Sequence, residues 1–271
     1  MRFAITANPR IPTAYDVAKR AASYLRGHDV LFEDDLASKL GKKGRALEDA
    51  DVDCVIAIGG DGTVLRALQR NTAPVLGINS GSLGFLVEVA IGDVKQALAR
   101  VAKKEFTIEE RLKLRVEVDG KRLYDCTNEA VVHTAAVAKI RHFEVRVDDV
   151  QALDIRADGV ILATPTGSTS YAMSTGGPIV DPRVEALVIT AIAPFKPSAR
   201  PLVVPAKSKV SIQLKKPREC LLVLDGQLEV SLKGYESLKF TASEKRARFV
   251  RLHRQDFYRR YEEKLAGRGD A

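Results

Sequence analysis

The 271-residue sequence has no tryptophan, and aromatic residues make up only 6% of it. Single-stranded nucleic acid is usually gripped by stacking bases on aromatic rings, so the chain is poorly supplied for that use. Cysteine is scarce as well. Cys54, Cys126 and Cys220 stand in or beside apolar runs. Their odd number and lack of metal-ligand spacing read as reduced core thiols of a cytoplasmic protein. The opening MRFAITANPR lacks the apolar core of a secretion signal. No stretch reaches the roughly 18 to 20 apolar residues of a membrane helix. Internal repeats and low-complexity linkers are also missing.

What is present is a basic, well-filled chain. Hydrophobic residues are 45% of the sequence, net charge is +8 and the pI is near 9.4. The length suits one large or two ordinary domains. The charge favours acidic partners such as polyphosphates and nucleotides.

The pattern of elements divides the chain. Strand-like runs at 2–7, 29–33, 54–58 and 74–79 alternate with helical patterns at 13–26, 35–40, 63–70 and 93–104. That order predicts an α/β domain with a parallel sheet over residues 1–105. From residue 106 the pattern becomes strands and turns, including a hairpin signal at Asp119-Gly120. This predicts an antiparallel β domain over 106–235. Residues 236–271 form a basic segment, including KRARFVRLHRQDFYRR. It is expected to return to the first domain as a strand and helix, because Phe249, Val250, Leu252, Phe257 and Tyr258 need burial.

Two stretches carry chemistry. GGDGT, residues 59–63, joins the buried strand pattern of Val55–Ile58 to a helix start. Such a turn offers free N–H groups and the positive end of a helix dipole, which suits phosphate. Asp61 would repel that phosphate. A carboxylate beside a phosphate site binds a metal or takes a proton from a nucleophile. The second stretch, TPTGSTSYAMS (164–174), is crowded with hydroxyls, which both donate and accept hydrogen bonds. It suits a sugar-phosphate or nucleoside. Asn128-Glu129 can read an adenine edge and a ribose hydroxyl. Asp225-Gly226 reads as a plain hairpin turn.

GGDGTVLRAL, PVLGINSGSLGFL, NEA, DGVILATPTGSTSYAMSTGGPIV and SARPLVVP occur in one order. Together they resemble the NAD kinase family, and TPTGSTSY is the most specific block. GGDGT alone is shared with diacylglycerol and sphingosine kinases. The resemblance implies a Rossmann-like N-terminal α/β domain, a β-sandwich-like C-terminal domain and a cleft site often completed by a neighbouring subunit. The reaction implied is transfer of a phosphoryl group from ATP or polyphosphate to the 2′-hydroxyl of the adenosine ribose of NAD, giving NADP. Asp61 matches the catalytic aspartate. Gly59, Gly60, Gly62 and Thr63 match the loop that takes the phosphoryl donor, and Gly62 also sits beside the ribose. Arg66, Asn128, Glu129, Lys139, Arg156, Asp158 and Gln227 match NAD contacts, with Asp158 near the nicotinamide end. Thr166 and the run Thr169, Ser170, Tyr171, Ala172, Met173 and Ser174 match the family's NAD loop.

The match departs at Phe195 in PFKPSARP, where many bacterial members carry histidine; some archaeal members look similar here. The family also implies Mg²⁺ or another divalent metal arriving with the donor, no resident metal site, and a cytoplasmic homodimer or homotetramer. A membrane or nucleic-acid partner is not expected. Other readings stay open. A lipid or polyol kinase of the GGDG type would want an apolar acceptor cleft. A nucleotide- or nucleic-acid-binding protein would not need Asp61.

Overall fold

The computed structural model describes residues 1–81, 84–136, 139–196, 199–253 and 257–265. Ser82, Leu83, Pro197, Ser198 and Arg254, which belong to the stretches quoted above, lie outside these. The chain forms two compact units, one of residues 1–110 with 247–271 and one of residues 111–246.

The first unit begins β1 (Arg2–Ala7), α1 (Pro12–Tyr24), β2 (Asp29–Phe32) and α2 (Asp34–Leu40). It continues β3 (Cys54–Gly59), α3 (Asp61–Arg70), β4 (Val75–Asn79), β5 (Val89–Ala90) and α4 (Val94–Ala102). Strands β2, β1, β3, β4 and β5 pair in that order, all parallel. Parallel strands linked by helices are covered on both faces and therefore read as unbroken apolar runs. Side chains alternate between the two covered faces with the strand period of two. Phe3, Ile5, Ile56 and Ile58 pack with α1 and α4, while Ala4, Val55 and Ala57 pack with α3.

The second unit is antiparallel. It holds β6 (Thr107–Val118), β7 (Lys121–Arg122), β8 (Glu129–Thr134), β9 (Arg141–Val147), β10 (Val150–Ala157) and β11 (Gly159–Ala163). The short helix α5 (Tyr171–Ser174) follows, then β12 (Ala186–Ile192), β13 (Leu202–Pro205) and β14 (Val210–Leu214). Last come β15 (Cys220–Leu224), β16 (Leu228–Leu232) and β17 (Leu238–Arg251). One sheet runs β13-β12-β11-β8-β15-β16, and a second set runs β10-β9-β14-β17. Their inner faces share a core that includes Val132, Phe143, Leu162, Ile189, Leu222 and Phe240. The expected fold class, a parallel α/β domain followed by an antiparallel β domain, is the one observed.

β17 passes from the second unit into the first, where Phe249 pairs with Val75 of β4. Helix α6 (Phe257–Leu265) follows it. Phe249, Val250 and Leu252 are buried. Tyr258 is not: it is 61% exposed, because α6 turns this face of its amphipathic surface outward. The Asp119-Gly120 turn has the expected left-handed φ values of 49° and 77°. PLVVP, not anticipated as a strand, pairs with β12 as β13.

Candidate active site

β3 is buried along its whole length and stops at Gly59, where α3 starts one residue later. Gly59 has to be glycine, since a Cβ there would lie 2.2 Å from Thr63 Oγ1. Gly60 is the N-cap and supplies no side-chain cap. The N–H groups of Asp61 and Gly62 are therefore left by the helix itself for another acceptor, while Thr63 N–H donates to Gly60 O at 3.0 Å.

Asp61 heads α3 but does not cap it. Its Oδ2 accepts the Phe85 N–H at 2.7 Å, and its Oδ1 accepts the N–H groups of Leu86 at 2.9 Å and Val87 at 3.3 Å. A Cβ at residue 84 would fall 1.9 Å from Asp61 Oδ1. Only glycine lets the chain pass this close to the carboxylate. The segment Gly84–Val87 is thus the holder of the GGDGT aspartate, a role that no spacing rule revealed. Arg66, expected to contact NAD, has its guanidinium engaged within the unit. It donates to Thr6 Oγ1 at 2.7 Å and to Glu33 at 2.8 Å, and lies 3.6 Å from Asp35.

A second carboxylate is gripped in a similar way in the other unit. Asp225 was expected to do no more than turn a hairpin. It does so, with φ of 51° before Gly226 at 63°. It is also buried, and its carboxylate accepts the N–H groups of Thr127 at 2.8 Å, Asn128 at 2.7 Å and Glu129 at 3.0 Å. These three residues lead into β8. A DG dipeptide is so common in turns that nothing local distinguishes this one; the signal is the register that sets β15 beside β8.

The hydroxyl-rich loop closes over the same residues. Thr164 N–H donates to Asn128 O at 2.8 Å, and Thr164 Oγ1 to Thr127 O at 2.5 Å. Gly167 packs so near that a Cβ would sit 2.2 Å from Asn128 O. Ser170 Oγ donates to Glu129 Oε1 at 3.2 Å. Many of the hydroxyls serve the fold: Ser168 donates to Pro165 O, and Thr169 to the carbonyl of the buried Thr166. Tyr171 and Ser174 are exposed, Met173 is half-buried and Ala172 is fully buried. Gln227 turns its amide toward Asp225 O at 3.4 Å.

Three consecutive residues here carry a buried polar atom with no partner: Thr127 Oγ1, Asn128 Oδ1 and Glu129 Oε2. Buried polar groups are nearly always hydrogen-bonded, so such a cluster marks a place where something else supplies the partners. Burial, and then the charge of Asp225, push the Glu129 carboxyl up to about 8. Burial also lifts Asp225, to about 6, against the pull of its three N–H donors and of Lys113. Both carboxyls are thus held above the ordinary carboxylate range, Glu129 further than Asp225.

The remaining expected NAD contacts are not gathered at this point. Asp158 N–H donates to Ile192 O and its carbonyl accepts from Thr134, at the far end of β8 from Glu129, roughly 17 Å along the strand. Lys139 and Arg156 are exposed. Arg156 lies over the ring of Phe195, 5.3 Å from its centroid, in an open hollow of about 550 Å³ that His142, Asp154 and Lys196 also line. Cys54, Cys126 and Cys220 are buried free thiols, all raised above the usual thiol range by burial. No group of three or more His, Cys, Asp or Glu among the described residues is arranged to hold a metal ion. No described helix is long and apolar enough to cross a membrane.

Residues 3–106 match the ATP-NAD kinase N-terminal domain family, and residues 127–252 match the ATP-NAD kinase C-terminal domain family. Helix α6 lies past both matches. The NAD kinase of Thermoplasma volcanium is 44% identical, over 87% of this chain and 86% of its own length. That of Methanothermobacter thermautotrophicus is 43% identical, over 98% of this chain and 96% of its own. The crystal structure of the Archaeoglobus fulgidus NAD kinase in complex with ATP superposes with a TM-score of 0.77 at 29% identity, covering 98% of each chain. Matched in both units and along nearly its whole length, the chain belongs to the NAD kinase family.

Proposed function

We propose that the protein makes NADP by transferring a phosphoryl group to the 2′-hydroxyl of the adenosine ribose of NAD. The observation that carries this reading is the run of three unpartnered buried polar atoms at Thr127, Asn128 and Glu129. A nucleoside offers the donors and acceptors these atoms lack, and an apolar acceptor offers none. Asn128 Oδ1 accepts from an adenine amine, and the neutral Glu129 carboxyl exchanges hydrogen bonds with a ribose hydroxyl.

In the reaction the O2′–P bond forms, the bond from phosphorus to the donor's bridging oxygen breaks, and the hydroxyl proton passes to Asp61. General-base help of this kind is worth about 10² to 10⁴ in rate. The rest of such a reaction is alignment and charge neutralisation. The turn Gly59, Gly60, Gly62 and Thr63 takes the phosphates at the head of α3, with backbone donors from Gly60 and Gly62, since Thr63 N–H already donates to Gly60 O at 3.0 Å. The carboxylate nearest that turn, Asp61, already accepts three N–H groups. Mg²⁺ or another divalent ion would therefore arrive on the donor's phosphates and keep them and water as ligands, cancelling part of their charge.

Asp158, at the far end of β8 from Glu129, and Arg156, exposed beside Phe195, suit the expectation that a second copy completes the site in a homodimer or homotetramer. Sedimentation of the purified protein tests this. The buried free thiols fit a reducing compartment, the cytoplasm. The functional test is a coupled assay for NADP with NAD and Mg²⁺, and ATP or polyphosphate in separate wells. We expect product in at least one well, and a loss of at least about a hundredfold in Asp61→Asn with NAD binding retained. Near-normal turnover in that variant removes Asp61 from the mechanism; no product with either donor overturns the kinase reading.

A further inference from the structure

The segment Phe85–Val87 has six backbone hydrogen-bonding groups, and each meets a charged side chain. The three N–H groups are spent on Asp61. The three carbonyls are taken by arginines. Arg260 Nη1 donates to Phe85 O at 3.0 Å and to Val87 O at 2.9 Å, and Arg251 Nη1 donates to Leu86 O at 3.3 Å. The next residue, Glu88, has a side chain only 1% exposed. It accepts from Arg251 at 3.1 Å and from the Leu252 N–H at 3.0 Å, and lies 3.7 Å from Arg260. One helical turn beyond Arg260, the Lys264 ammonium sits 4.4 Å from the centroid of the Phe85 ring. Lys264 is lowered from the usual lysine range first by burial, while the negative charge of Asp61 works against that lowering.

The segment that holds Asp61 is thus held from its other side by α6, an element outside the family matches. We infer that Arg260 is a positioning residue, which keeps Asp61 at its working place through the backbone of Phe85–Val87. The inference rests on the reading of Asp61 as the proton acceptor. If the arginine leaves, two part-buried carbonyls lose their donor, the segment shifts to find water or another partner, and the Asp61 carboxylate shifts with it. Small displacements of a reacting group cost up to about a hundredfold in rate.

The test uses the full chain with Arg260→Ala, Arg260→Lys, Asp61→Asn and the Asp61→Asn/Arg260→Ala double variant. The readouts are kcat, KM for NAD, the thermal midpoint and amide hydrogen exchange at residues 85–87. We expect Arg260→Ala to lower kcat by about ten- to a hundredfold with KM for NAD changed less than about threefold. Exchange at 85–87 should quicken. Arg260→Lys, which keeps a charged donor within reach of the same carbonyls, should recover most of the loss. The double variant should be no slower than Asp61→Asn alone, since both changes act through one group. Wild-type kcat in Arg260→Ala beside an inactive Asp61→Asn overturns the inference and leaves the function standing. Equal losses in kcat and NAD affinity with a fallen thermal midpoint also overturn it, as a plain stability effect. An active Asp61→Asn instead defeats the reading beneath it, and the inference falls with it.

Discussion

Glu129 is a carboxyl group asked to stay neutral in water's usual range for carboxylates. Its proton is retained in the folded chain up to about 8, against an ordinary 4.5. Between those values the folded state binds more protons than the unfolded one, so this residue makes stability fall as pH rises and has no further effect above about 8. Asp225 adds a similar term that is complete by about 6. Glu129→Gln keeps the shape and removes the ionisation. The variant should therefore gain on the wild type by about 2 kcal/mol between pH 6.5 and 8.5, read as urea midpoints at the two pH values. A constant difference across that interval would mean that Glu129 is already ionised at neutral pH. The same titration matters for the substrate, because a neutral carboxyl donates a hydrogen bond that a carboxylate cannot.

At the scale of elements, the start of β8 is fixed by a hairpin. The β15–β16 turn inserts the Asp225 carboxylate under the start of β8, and so sets how Asn128 and Glu129 are offered. Asp225→Asn turns one acceptor oxygen into a donor that faces another donor. We expect KM for NAD to rise by about tenfold or more, with a smaller change in kcat; unchanged KM would show that β8 keeps its own place. This element was the least legible in the sequence. β1 could be read residue for residue, because a strand covered on both faces is apolar throughout. The GGDGT turn was legible for the same reason, since a buried strand led into it. Asp225 was not, because its partners lie about a hundred positions earlier, and a turn dipeptide looks alike with or without them. The hydroxyl run was legible as polar, yet several of its members bond inward. Gly84 was visible only as a glycine; the contact that demands it comes from residue 61.

For the whole molecule, charge is the property that sets the encounter. A net charge of +8 draws a polyanion more strongly than it draws a dinucleotide carrying few charges. The apparent kcat/KM for ATP or polyphosphate should fall more steeply with added salt than that for NAD, polyphosphate most of all. The measurement is initial rates from about 20 to 300 mM KCl, where screening lengths shorten from well beyond to near those of contact pairs. Parallel slopes for both substrates would assign the excess charge to solubility alone.

The first unit is discontinuous: it is built from residues 1–110 and from those after 246. A ribosome makes the GGDGT turn about two hundred residues before the arginine that steadies its aspartate. The intervening unit is continuous in the chain and can fold while synthesis proceeds. The first unit must wait for the final strand to slot beside β4. A chain that stops before β17 is complete would therefore carry a complete second unit and an unfinished first one. The protein then becomes a kinase only once β17 and α6 have been made and have joined the first unit.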